Sequence, residues 1–400
     1  MATRIAIIAC LDTKGDEAKF LTERVEAAGG SGLLIDTGIV GDALVEAGVT
    51  AETVAQAAGT TIAELRQRND RGHAVKLMSE GAALVVRSLF DDGEIDGVLG
   101  AGGSANTTIA SAAMRALPVG FPKVLVSTLA SGNVAPYVDT KDITLMYSVV
   151  DIAGINRLSA RILGNAARAV VAMATGKEET SSRPILAATM FGVTTPCVTT
   201  ARKRLEESGY EVLVFHATGS GGRAMEGLIE DGYIAGVLDV TTTEIADELV
   251  GGILSAGPDR LRAAGRAAIP QVVSIGAIDM VNFGPRDTVP AEFEGRKFYE
   301  HNQTVTLMRT TAEECARIGQ TIANRLREAR GPVDVLLPKQ GVSLISKEGE
   351  TFFDPEADAA CREAIRHGLE GSAAEVEEIS CDVNNEAFAQ ILADRLLSRL

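Results

Sequence analysis

Apolar residues along the chain alternate between two spacings. Short runs dense in Val, Ile and Leu read as strands buried on both faces: RIAIIACL (4–11), GLLIDT (32–37), DGVLGA (96–101), PKVLVS (122–127) and TLMYSVV (144–150). Between them lie longer stretches with helical spacing. KGDEAKFLTERVEAAG (14–29) ends at a glycine. Residues 51–92 read as helix broken near Asn69-Asp70, and further helices are expected over 104–116 and 155–175. The polar segment GKEETSSRP (176–184) interrupts this grammar and reads as a linker. The alternation then restarts with PILAATM (184–190), a helix over 194–208, YEVLVFHA (210–217), a glycine-rich loop, a helix over 221–230 and IAGVLDV (234–240). Strand–helix alternation implies parallel sheet with helices on both faces. The expectation is α/β with two Rossmann-like domains, 1–178 and 179–400, related by element order rather than by sequence identity.

Composition narrows the function classes. The 400 residues carry a formal charge of −16, which disfavours nucleic acid and anionic membrane surfaces as partners. No segment reaches the ~18 apolar residues of a membrane span, and the N-terminal apolar run is too short for a secretory signal. A cytoplasmic protein is therefore expected. The five cysteines show no CxxC spacing and the four histidines no zinc-type spacing, so the thiols read as reduced and mostly core.

Candidate chemistry gathers where strands end. AGGSANTTIA (101–110) supplies glycines and then the start of a helix, whose unpaired amides and dipole suit an anion. The same pattern equally describes a tight turn with Ser104 or Asn106 as a cap. Neither a Walker A loop nor GxGxxG is present, which speaks against an NAD-type oxidoreductase. HATGSGGRAME (216–226) is a second glycine loop, and the convergence of His216, Ser220 and Arg223 on it favours a ligand. In LDTKG, Asp12 and Thr13 can cap the following helix while Lys14 stands where a phosphate partner is useful. Asp36 closes the second strand, where an acid can accept ribose hydroxyls. Ser127 and Thr128 follow the next strand. Asp151 and Asn156 stand where the 144–150 strand gives way to the long helix, and Asp151 can hold magnesium or cap that helix. Thr241 and Glu244 match a capping box. His301, Asn302 and Arg309, in EGRKFYEHNQTVTLMRTT, suit acid–base work on an anionic substrate or a buried, hydrogen-bonded histidine. Lys339 and Ser343 follow a late strand. No nucleophile elbow is present.

Taken together, DTKG, GAGGSANTT, PKVLVSTLASG, SVVDIAGIN, HATGSGGRAMEGLI, DVTTTEIADELVGG, GAIDMVNF and HNQTVTLMRTTAEE resemble the Tm-one-like ATP-binding family. That resemblance runs along essentially the whole chain. It implies two Rossmann-like subdomains, ATP on the first, magnesium and self-association into a homo-oligomer. Asp12, Thr13, Lys14, Gly102, Gly103, Ser104, Ala105 and Asn106 then become nucleotide contacts, joined by Asp36, Ser127, Thr128, Asp151 and Asn156. The second domain is expected to take a small anionic, carboxylate-type ligand through His216, Ser220, Arg223, Asn302, Lys339 and Ser343, with His301 and Arg309 as catalytic candidates in the cleft between the domains. The alternative is a non-catalytic, ATP-gated binding protein.

Overall fold

A computed structural model describes residues 3–176 and 182–400. The chain divides into two compact units, Met1–Thr180 and Ser181–Leu400. Most of the expected linker, and the expected boundary between 178 and 179, lie outside the described residues.

The first unit holds β1 (Thr3–Ala9), β2 (Gly30–Asp36), β3 (Gly97–Gly102), β4 (Lys123–Ser127) and β5 (Thr144–Tyr147). They form one parallel sheet in the order β2-β1-β3-β4-β5. Strand pleating explains the double cover: Ala6 and Ile8 pack with helices Ala51–Ala57, Ile62–Arg68, Arg71–Asp91 and Ser104–Arg115. Ile5 and Ile7, one residue out of phase, pack with Leu11–Ala27 and Arg157–Thr175 on the other face. The break near Asn69-Asp70 is as expected. Asn69 adopts the left-handed conformation and Asp70 caps the next helix through the His73 amide.

The second unit contains β6 (Ile185–Met190), β7 (Glu211–His216), β8 (Ile234–Thr241), β9 (Gln271–Gly276), β10 (Met280–Phe283), β11 (Phe298–Asn302), β12 (Val305–Arg309), β13 (Val333–Pro338) and β14 (Glu375–Ile379). Its main sheet runs β14-β13-β9-β8-β6-β7 and is parallel throughout. Read from β7, this is the strand order of the first unit with β14 added. Leu186 and Ala188 meet helices Thr195–Glu207 and Glu386–Leu397, while Ala187 meets Ser220–Glu230 and Ala263–Ala267. A small antiparallel sheet, β10-β12-β11, accounts for the unusual 294–311 stretch: it is a hairpin. The five cysteines are free thiols, and burial pushes Cys10 up to about 11.

Candidate functional site

In the first sheet the chain steps from β1 to β2 on one side and to β3 on the other. The carboxyl ends of β1 and β3 therefore flank a topological switch point, the usual ligand crevice of open α/β sheets. Two helices begin there. At Leu11–Ala27 the first amide is already taken: Asp36 Oδ1 accepts from Leu11 N at 3.0 Å and from Gly38 N at 2.8 Å. Burial raises the Asp36 carboxyl above its ordinary range, and these two amides oppose that shift. Asp36 thus anchors backbone in the place where a ribose acceptor was expected.

The second helix, Ser104–Arg115, is open. Its N-cap is Gly103, without a side-chain cap. Thr107 N closes the first helical bond on Gly103 O at 2.9 Å. Among the described residues no acceptor meets the amides of Ser104, Ala105 and Asn106. Gly103 itself has φ −82° and ψ −161°, and a Cβ there would find only Thr128 Oγ1, 3.9 Å away. Gly102 differs, because a Cβ would lie 2.6 Å from Asn106 Cβ. Asn106 is buried, donating Nδ2 to Ile8 O at 3.0 Å and Ala101 O at 2.8 Å and accepting from Thr37 Oγ1 at 3.1 Å. Its side chain ties β1 to β3, while its backbone amide has no acceptor among the described residues.

A cavity of about 580 Å³ lies at this edge. Its walls are Cys10, Asp12 and Thr13 at one helix start, Ala105 and Ile109 at the other, the Thr37–Val40 loop, and Leu65 to Val75 around the helix break. The loop wall is tied down from both sides. Asp12 Oδ2 accepts from Val40 N at 2.8 Å and Gly41 N at 3.1 Å. Arg66 donates to Ile39 O at 2.7 Å and Gly41 O at 2.6 Å. Asp12 Oδ1 is buried and has no partner among the described residues. Asp12 is therefore a loop anchor within the first turn of its helix, whose N-cap is Cys10.

The remaining first-unit candidates are not in the cavity wall. Ser127 is buried and shares a 2.7 Å hydrogen bond with Thr107. Thr128 follows β4 next to Gly103. Lys14 reaches across to the Ile152 carbonyl. Asp151 is exposed, with Oδ1 accepting from Ile152 N at 2.9 Å. Asn156, not Asp151, caps Arg157–Thr175, in a capping box with Ser159. Among the described residues no group of three or more His, Cys, Asp or Glu is placed to hold a metal ion.

The second unit departs from expectation at its glycine loop. Gly219 N and Gly222 N donate to Glu244 Oε1 at 2.7 and 3.0 Å, so the N-terminus of Ser220–Glu230 holds the protein's own carboxylate. A Cβ on Gly222 would lie 2.1 Å from Glu244 Oε2. The glycine pattern that suggested a substrate cradle for His216, Ser220 and Arg223 thus admits an internal anion. Glu244 is no capping-box partner of Thr241: the N-cap is Thr242 and makes no side-chain cap. Glu244 also accepts from Arg260 Nε at 2.7 Å. Wholly buried, Arg260 pairs with Asp239 at 2.5 Å and with Glu226 at 3.2 Å as well.

His301 and Arg309 are not brought together. His301 is exposed near the hairpin tip, and Asn302 Oδ1 closes that tip by accepting from Thr304 N at 2.8 Å. Arg309 lies at the far end of β12, buried, where it pairs with Asp358 at 2.6 Å and donates to Phe352 O at 2.9 Å. Ser343 is buried and donates to Asp279 at 2.8 Å; Lys339 is half-exposed, 3.4 Å from Glu378. Burial pushes Asp279 up to about 7 despite Arg309 nearby. Sequence reasoning missed Arg66, Arg71 and Asn69 at the cavity and Arg260 in the second unit. A break between two helices signalled the first three, whereas nothing local marks Arg260.

Comparison with known proteins places this architecture. The chain belongs to the uncharacterised protein family UPF0261. The model of that family's N-terminal domain matches residues 3–179 and that of its C-terminal domain matches 183–400. A UPF0261 protein of Clostridium tetani is 50% identical over the full length of both chains. The ToMV resistance protein Tm-1(GCR237) of Solanum lycopersicum is 40% identical, over 98% of this chain and 55% of that protein. The expected kinship with the Tm-one-like proteins is thus shown at the level of family. Among solved structures, a UDP-N-acetylglucosamine 2-epimerase from Rickettsia bellii matches 68% of this chain and 79% of its own at 10% identity, with a TM-score of 0.23, too low to bear on function.

Proposed function

We propose that the first unit binds ATP at the β1–β3 switch point, with the triphosphate on the amides of Ser104, Ala105 and Asn106. The observation that carries this reading is the unfilled N-terminus of Ser104–Arg115 beside a cavity of about 580 Å³. That volume lies in the usual range for small-molecule sites, roughly 300–1,000 Å³. Ile39, Leu65, Val75 and Ile109 offer apolar wall for a purine. The resemblance to an ATP-binding family supports the nucleotide over other anions. Thr128 supplies a hydroxyl beside the loop and Lys14 a positive charge from the neighbouring turn. Magnesium needs few protein ligands when phosphates share it. Binding is then carried by backbone donors and a lysine from another turn, without a Walker lysine.

The separation of His301 from Arg309 favours nucleotide-gated binding over phosphoryl transfer by that pair. Calorimetric titration with ATP, ADP and AMP in magnesium tests the proposal. Affinity should fall with each phosphate removed, because the amides act on phosphate. Absence of heat and of any melting shift with millimolar ATP would sink it.

A further inference from the structure

Lys14 has a place in the structure already, and that place is not the cavity. It interrupts the regularity of Leu11–Ala27 just after the first turn, with φ −130° and ψ 27°. From there its ammonium donates to the Ile152 carbonyl. Three residues on, the buried carboxylate of Glu17 accepts from Gly154 N at 2.7 Å. One turn of helix therefore grips the loop between β5 and Arg157–Thr175 by two backbone groups. The loop's other bonds lie toward its ends: Ser148 N donates to Ser127 O at 3.2 Å, Val150 N to Ser148 O at 2.7 Å and Ser148 Oγ to Val150 O at 2.6 Å, while Ser159 Oγ donates to Gly154 O at 3.4 Å. Val149, Val150, Asp151, Ala153, Gly154 and Ile155 are exposed; only Ser148 and Ile152 are buried. Val149 sits at φ +63°, a conformation that a β-branched residue adopts only under constraint.

We propose that Lys14 is a two-position clamp: with the site empty it holds the Ile152 carbonyl, and with the triphosphate bound it leaves that carbonyl, releasing the Ser148–Asn156 loop. The inference rests on the nucleotide reading above. The lysine donates a charge-assisted bond in either position, but phosphate adds a full opposite charge that the neutral Ile152 carbonyl lacks. The exchange therefore runs toward phosphate. Once Lys14 lets go, the segment around Ile152 keeps only the Glu17 bond to this helix, and it loosens. The ligand's differential interaction with the two loop states is this one lysine bond, which is what a population shift requires. Nucleotide occupancy would thereby be reported at the sheet's β5 edge.

Hydrogen exchange read by mass spectrometry on the full chain tests this. Saturating ATP with magnesium should speed exchange of peptides spanning 148–156 about tenfold or more. Lys14→Met should show the fast exchange with no nucleotide present, and Lys14→Arg, which keeps charge and reach, should restore slow exchange. The Lys14→Met arm needs no nucleotide, so it is independent of whether that variant still binds ATP. If calorimetry shows ATP bound to the parent chain while 148–156 exchanges unchanged, the clamp is refuted and the site stands. If calorimetry shows no binding, the nucleotide reading fails and the clamp falls with it. Slow exchange in Lys14→Met overturns the clamp in either case.

Discussion

Replacing Gly103 by aspartate should separate two properties that usually fall together, stability and ligand binding. The backbone at 103 is extended, with φ −82°, so a side chain meets no conformational penalty. The nearest atom to a new Cβ is Thr128 Oγ1 at 3.9 Å, so there is room for it. Position 103 is the N-cap of a helix that has no side-chain cap, and aspartate is among the best N-caps. Its carboxylate would accept the second or third helical amide. Gain over glycine at an N-cap is a few tenths of a kcal/mol, and loss of glycine's unfolded-state freedom adds about 0.4–1 kcal/mol. The variant should therefore melt at the parent's temperature or a few degrees above it. Binding should collapse. The new carboxylate takes amides meant for phosphate, each charge-assisted bond being worth about 1.5–3 kcal/mol. It also places a negative charge about 4 Å from the phosphate, worth roughly 4 kcal/mol of repulsion at an effective dielectric constant of about 20. Even half that sum weakens binding by more than about a hundredfold. Calorimetric titration with ATP and a thermal melt on one preparation give both numbers. Gly103→Asn, a cap without the charge, should lie between the two. A folded Gly103→Asp chain that binds ATP like the parent would refute the assignment of the triphosphate to this helix; a marked fall in melting temperature would refute the claim that the backbone tolerates a side chain there.

Further outcomes follow from the second unit. Arg260→Met leaves Asp239, Glu244 and Glu226 buried around a neutral side chain, and should cost about 3–5 kcal/mol or more in urea unfolding; a cost under about 1 kcal/mol would show that the arginine is dispensable. Burial pushes Asp247 and Asp279 up to about 7. Between about pH 4 and pH 7 both are protonated in the folded chain and ionised in the unfolded chain, so the unfolded state binds fewer protons. Their contribution to stability therefore falls as pH rises through that window and levels off above about pH 7. Asp279→Asn should remove up to about 1.4 kcal/mol per pH unit from the slope; an unchanged slope in urea melts across the window would count against a protonated Asp279.

The sheets and their covering helices were legible because both rest on local spacing. Runs such as RIAIIACL and DGVLGA mark strands buried on two faces, and the Asn69-Asp70 break is written in residues that favour a left-handed turn and an N-cap. The hairpin at 298–309 was less legible, since its tip, HNQT, lacks the glycine that usually announces a turn. At the sites, the limits were those of local pattern. TTTE reads as a capping box wherever it occurs, but Glu244 finds donors at Gly219, Gly222 and Arg260, which tertiary folding brings to it. GSGGR reads as an anion cradle and is one, for an anion supplied by the chain. GGSAN reads the same way, and only the structure separates Gly102, kept small for Asn106, from Gly103, kept small for open space.

Glu244 has a consequence for how the two units meet their surroundings. Covalently tethered to the chain, it is present at fixed effective concentration, so the N-terminus of Ser220–Glu230 is satisfied in any buffer. The amides at Ser104–Asn106 have no such tethered partner among the described residues, and on the reading proposed above their partner arrives by mass action. The stability of the first unit then grows with the logarithm of a solute's concentration, while that of the second is indifferent to it. One polypeptide would thus carry a fold whose half-life tracks the nucleotide supply beside one that does not, so starvation for the nucleotide would be felt first by residues 3–176.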